Sequence, residues 1–169
     1  FKDGDLAIWS DTEASIEALE FHGQIDRVIS DDNPHGYGDK NNVLHQYRKA
    51  RAMTLEGGYD ALLTFEHDMI APTDGLEKLW ETGAPVAYGV YFFRHIEIVL
   101  NTLRDIKGSF PDMSMSAFPD DLARAQKMVV APVSGAGMGF TLIRRWALEK
   151  LPFRASDSGH PVPDMPFAQ

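Results

Sequence analysis

Glu66, His67 and Asp68 stand in a row directly after the apolar run Ala61–Phe65. If that run is a strand, Glu66 and Asp68 point to one side and His67 to the other. Two carboxylates converging there offer hard oxygen ligands for Mg²⁺ or Mn²⁺, cations that commonly bridge to phosphates. The plain alternative is an N-cap, a frequent use of acids just before a helix. Thr73 or Asp74 can fill that role for the segment that follows. The acidic cluster is thereby left for a functional use, as perturbed acids often are.

Other residues could share such a site. Asp31 and Asp32 either hydrogen-bond a ribose or base or simply form a turn. Arg48, Lys49 and Arg51 fall on one predicted helix, where a guanidinium could grip a diphosphate or merely face water. Arg94 ends the aromatic run Tyr91-Phe92-Phe93 and is a candidate substrate contact, whereas the aromatics read as core. The glycines of Ser134–Gly139 miss dinucleotide-loop spacing, and a strand rather than a helix is expected after them. The segment, with Gly135, Gly137 and Gly139, then suits close backbone approach to a ligand or a neighbouring strand. His160 and Asp164 lie in a proline-rich segment, where a lone acid is usually a surface residue.

These groups need elements to position them. The sequence predicts a strand at Leu6–Trp9, then a helix with Ile16 and Leu19 inward that ends near Gly23. Ile25, Val28 and Ile29 read as a second strand, and residues 41–56 as a long helix stopped by Gly57. The run at 61–65 reads as a buried strand, 75–82 as a helix, and 85–93 as a central strand apolar on both faces. Residues 94–121 read as irregular, 127–133 and 138–143 as strands, 144–151 as a helix, and the tail from Phe153 as loop. Strands alternating with helices predict βαβ crossovers. The expected fold is a three-layer α/β domain with a mostly parallel central sheet and a Rossmann-like nucleotide-binding half.

At 169 residues the chain is long enough for one domain with a sizeable core. A formal charge of −9 disfavours nucleic acid as main partner, since phosphate binding needs a basic footprint. A nucleotide could still be held through a metal. The chain has no cysteine, which fits a reducing, cytoplasmic setting. No apolar run nears the roughly 18 residues of a membrane span, so none is expected. Opening at Phe1 fits a processed product or a fragment, one domain truncated at its C-terminus.

Three pieces together resemble the GT-A-fold, nucleotide-sugar-dependent glycosyltransferases, in the broad family-2-like group of bacteria and phages. Arg48 through Asp68 resembles a basic helix, a Gly-Tyr-Asp turn, an apolar strand and an acid-x-acid motif. "PVAYGVYFFR", Pro85 to Arg94, resembles the strand that comes next. "GAGMGFTLIRRWALEKLPF", Gly135 to Phe153, is followed by an acid-x-x-Phe element at Asp164 to Phe167. The resemblance implies a UDP- or GDP-linked sugar donor and an acceptor that is a glycan, a lipid or a protein. It implies Mn²⁺ or Mg²⁺ held by Glu66 and Asp68, with Asp68 the more direct ligand. Asp31 or Asp32 would touch the nucleoside, and Asp164 would be the base for an inverting transfer. A further metal-binding His is common in the family beyond this point, and His160 could replace it only by a loop rearrangement. The motif departs from the usual pattern, with Glu first and His in the middle. A nucleotidyltransferase lacks support in residues 6–13, which hold no Gly-rich basic loop. A non-catalytic nucleotide- or sugar-binding module descended from such an enzyme is the alternative from another class.

Overall fold

The computed structural model describes residues 10–30, 32–36, 39, 41–94, 98–100, 102–103, 130 and 135–153. In chain order these form α1 (Ser10–Glu17), α2 (Asn41–Glu56), β1 (Ala61–Phe65), α3 (Gly75–Glu81), β2 (Val86–Tyr88) and β3 (Phe92–Arg94). After them come β4 (Ile98–Leu100), β5 (Thr102–Leu103), β6 (Gly135–Ala136), β7 (Phe140–Arg144) and α4 (Arg145–Lys150).

The main sheet has three strands in the order β1-β7-β2. Both ladders are antiparallel, with Leu63 opposite Leu142, Phe65 opposite Phe140, and Ala87 also opposite Leu142. β3 with β4, and β5 with β6, form two further antiparallel pairs. The expected three-layer, mostly parallel sheet with a Rossmann-like half is therefore overturned. β1 and β2 do run the same way, as a strand–helix–strand unit should. However, β7 comes from far down the chain, lies between them and runs opposite. Alternation of elements fixes the direction of neighbours in sequence, not what is inserted between them in space.

Side-chain alternation gives each face of this sheet its own apolar cluster. Leu62, Val86 and Ile143 pack with Leu44 of α2, Ala147 and Leu148 of α4, and Phe153. Leu63, Phe65, Ala87, Phe140 and Leu142 pack with Leu76 and Leu79 of α3. Ile143 and Leu148 are wholly buried, each worth about 1.5–3 kcal/mol in area removed from water.

α2 fills its expected range, 41–56. Buried Asn42 anchors its start, accepting the His35 N–H at 3.0 Å and donating to the Gly36 carbonyl at 2.6 Å. At its end Gly58 takes a φ of 76°, and the Tyr59 N–H returns to the Thr54 carbonyl at 3.1 Å, a Schellman-type stop. α3 also forms where expected. Asp74 occupies its N-cap position but makes no side-chain cap bond, and its carboxylate pairs with Lys78 at 2.5 Å.

Other expectations are corrected. α1 ends at Glu17, short of Gly23, and its buried residues are Thr12 and Ser15, with Ile16 and Leu19 only half-buried. Residues 24–30 form no strand, and Ile25, Val28 and Ile29 are 44%, 59% and 59% exposed. Local polar contacts hold this segment instead: Gln24 to Asp26 at 2.8 Å and Arg27 to Glu13 at 3.2 Å. The run at 85–93 is neither continuous nor central. β2 is an edge strand and stops at Tyr88. There the Phe140 ring crosses the chain, so close that a Cβ on Gly89 would lie 2.3 Å from it. The expected strand at Leu6–Trp9 lies outside the described residues, as does 127–133 apart from Val130, which is exposed.

Candidate functional site

β1 delivers its acids where three chain segments meet. The ladder with β7 runs one residue past β1, with the Glu66 N–H donating to the Gly139 carbonyl at 2.8 Å. The Met69 N–H then closes a turn on the Glu66 carbonyl at 3.1 Å. Strand alternation therefore stops at Glu66, and His67 and Asp68 are the middle residues of that turn. The expected placement of Asp68 by alternation is corrected accordingly. β2 arrives alongside, and the Gly89 N–H donates to the Phe140 carbonyl at 2.8 Å.

Glu66 follows Leu62 and Thr64 on the face toward α2, in keeping with alternation up to that point. Glu66 is exposed as a residue, but its carboxyl lies against Gly139 and is partly desolvated there, which raises its pKa. The Asp68 charge raises it further and His67 partly offsets the rise. The two acids thus lie close enough to feel each other. Burial, and then the charges of Glu66 and Tyr91, hold the Tyr47 phenol of α2 above its ordinary range. Tyr47, Glu66 and Tyr91 therefore form one electrostatic neighbourhood.

The glycine-containing turn before β7 forms the wall of this neighbourhood. The Gly139 N–H donates to Tyr91 Oη at 3.2 Å. Thr64 Oγ1 donates to the Met138 carbonyl at 2.5 Å, and Thr141 Oγ1 to the Gly137 carbonyl at 3.2 Å. A Cβ on Gly139 would stand 3.0 Å from Tyr91 Oη and 3.1 Å from Glu66 Oε2. This is the close backbone approach expected of the glycine segment, but at Gly139. Gly135 instead pairs with Leu103 in β6.

The remaining candidates are scattered. Asp32 is exposed and ion-paired with Lys49, whose hydrogen bond and charge hold its carboxyl below the ordinary value. Arg48 Nε donates to the Phe153 carbonyl at 3.0 Å, and Arg51 Nε to the Leu148 carbonyl at 2.8 Å, tying α2 to α4 and the segment after it. Successive helix residues turn by about 100°, so Tyr47, Arg48 and Lys49 leave α2 in three directions. α2 alone does not bring Asp32 to Glu66. Arg94 is the last residue of β3, opposite Ile98. Asp31, His160 and Asp164 lie outside the described residues.

Two neighbouring carboxylates, one raised first by desolvation and then by the charge of the other, suit a hard divalent cation that keeps waters or takes phosphate oxygens for the rest of its shell. Among the described residues no group of three or more His, Asp or Glu could hold an ion. Glu66 and Asp68 can therefore supply only part of a coordination sphere. An open cleft of about 520 Å³ lies at the other end of β1, lined by residues including Asp60, Trp80 and Arg145. Arg145 is engaged there with the Thr54, Leu55 and Tyr59 carbonyls, and Arg144 with Trp80 and Ala84, so the cleft reads as a structural seam.

Sequence reasoning missed Tyr91, read as a core aromatic, and Tyr47, which falls within the long helix over 41–56. A glycine immediately before a strand, with acids at the end of another, was the available signal. Among the described residues no helix is long and apolar enough to cross a membrane. No protein-family model matches the chain, and no curated protein does. Among solved structures the chain is similar to the crystal structure of A197 from STIV, at 26% identity and a TM-score of 0.46. The match covers 71% of this chain and 56% of that one, so this chain corresponds to little more than half of its neighbour.

Proposed function

We propose that the protein is a metal-assisted glycosyltransferase that moves a sugar from a UDP- or GDP-linked donor to a glycan, lipid or protein acceptor. What carries this reading is the pairing of Glu66 with Asp68 at the end of β1, against the backbone of Gly139. The mutual repulsion of these acids makes the site favour a cation. When bound, Mn²⁺ or Mg²⁺ would neutralise charge on the departing nucleotide diphosphate. Glu66 and Asp68 would hold it, with the Glu66 carboxylate lying against Gly139. In this reading Asp31 or Asp32 contacts the nucleoside and Asp164 removes the proton of the acceptor hydroxyl. The lack of cysteine agrees with a cytoplasmic location, which belongs to the same proposal.

The test is a thermal-shift titration with UDP, GDP and their sugars, each with and without Mn²⁺. A ligand at about 100 times its dissociation constant adds about 2.7 kcal/mol of stability. The expected result is a metal-dependent shift with one nucleotide that Asp68→Ala abolishes. No shift with any nucleotide would sink the donor site. Binding without sugar transfer, unchanged by Asp164→Asn, would leave a binding module in place of an enzyme.

A further inference from the structure

Tyr91 occupies the point where the chain leaves the main sheet, three residues after the end of β2 and just before β3. Its hydroxyl oxygen accepts the Gly139 N–H at 3.2 Å. On its other side the same glycine accepts, through its carbonyl, the Glu66 N–H at 2.8 Å. One peptide segment thus links the Tyr91 phenol to the backbone of the first acid. The fit is also steric. The space where Gly139 would carry a Cβ is closed by Tyr91 Cζ and Oη, each at 3.0 Å, and by Glu66 Oε2 at 3.1 Å. Gly139 is buried, and Tyr91 beside it is half-buried.

From this geometry we infer that Tyr91 is a positioning residue for the acid pair, acting through Gly139 to set where the Glu66 carboxylate lies. The inference rests on the metal-assisted reading of Glu66 and Asp68 and names what holds that site in shape. A cation ligand must be placed within a few tenths of an ångström, and a carboxylate on the last residue of a ladder has backbone support on one side only. The Tyr91–Gly139 contact supplies support from the β2 side.

The test uses Tyr91→Phe, which keeps the ring and removes the hydroxyl, and Gly139→Ala, which fills the shared space. Three quantities are measured: Mn²⁺ affinity with the metal alone, affinity for UDP and GDP with and without Mn²⁺, and hydrogen exchange of the Gly139 amide. In Tyr91→Phe, Gly139 exchange should quicken and Mn²⁺ affinity fall about two- to tenfold, the range of a single net hydrogen bond. Metal-free nucleotide affinity should stay as in the wild type, which a general loss of fold would not allow. Gly139→Ala should lose more than tenfold in Mn²⁺ affinity. Unchanged Gly139 exchange in Tyr91→Phe would overturn the anchoring. Faster exchange with wild-type Mn²⁺ affinity would overturn the positioning role while leaving the metal site standing. A wild-type chain that takes up no Mn²⁺ would overturn the metal-assisted reading and this inference with it.

Discussion

At the scale of single residues, Glu66 is held at a cost. Desolvation and the Asp68 charge raise its folded pKa above the ordinary 4.5, so the folded chain binds this proton more readily than the unfolded chain does. The sign follows directly: ionising Glu66 opposes folding above the raised pKa, and that penalty disappears as pH falls through it to below 4.5. Glu66→Gln is therefore expected to raise the thermal midpoint at pH 7 and to match the wild type near pH 4. Asp26, Asp32 and Glu77 behave oppositely, each lowered by a partner, so their contribution is present above the ordinary value and lost in acid. Asp26 and Asp32 are exposed and Glu77 is only half-buried, and pairs at the surface contribute little. Among the described residues, Glu66 is the acid whose shift opposes folding, and it lies at the candidate site, a pattern expected where function is traded against stability. A lower midpoint for Glu66→Gln at pH 7 would show that its carboxylate has a structural partner and would weaken the functional reading.

At the scale of elements, α2 and α3 were legible, α1 only in part, and the sheet was not. α2 and α3 each carry apolar residues at helical spacing between clear stops, so local sequence decides them. β1 was legible as a strand, but its partners lie 74 to 83 residues away, counted from Phe65↔Phe140 as 75 and Ala61↔Arg144 as 83, with Thr64 to Met138 as 74. No local pattern encodes that β7 enters between β1 and β2. The break in 85–93 was equally hidden, since it depends on where the Phe140 ring falls over Gly89. That Glu66 and Asp68 fall at the end of β1 was legible locally, but the turn through His67 and Asp68 was not, and the Tyr91 and Gly139 surroundings required β7 to be in place. Arg145 shows the same dependence. As the first residue of α4 it donates to the Leu55 carbonyl at 2.9 Å and to the Thr54 and Tyr59 carbonyls at 3.3 Å, closing the exposed end of α2. Arg145→Ala should destabilise the protein by about 2 kcal/mol, the scale of hydrogen bonds to a charged group. Arg145→Lys should recover only part of this, because an ammonium cannot fork across three carbonyls. Urea unfolding of the three proteins checks both statements, and an Arg145→Ala midpoint equal to the wild type would contradict them.

At the scale of the whole molecule, the described surface joins an acidic charge to an apolar segment that the sheet does not absorb. Ile25, Val28 and Ile29 are exposed on residues that were expected to form a strand, and Val43 at the start of α2 is 48% exposed as well. A net charge of −9 keeps copies of the chain apart at neutral pH, and that repulsion fades toward the isoelectric point near 5.0. Light scattering should therefore be flat at pH 7 and rise near pH 5. Replacing Val28 and Ile29 together by Thr should reduce the rise at pH 5 and lower binding of an apolar dye. Because exposed positions away from special contacts change stability by about 0.5 kcal/mol or less each, the thermal midpoint should barely move. A loss of about 2 kcal/mol or more would carry a different meaning: in solution these side chains would be buried against another part of the chain. The same double variant thus separates an open apolar edge, managed by charge, from one that is covered.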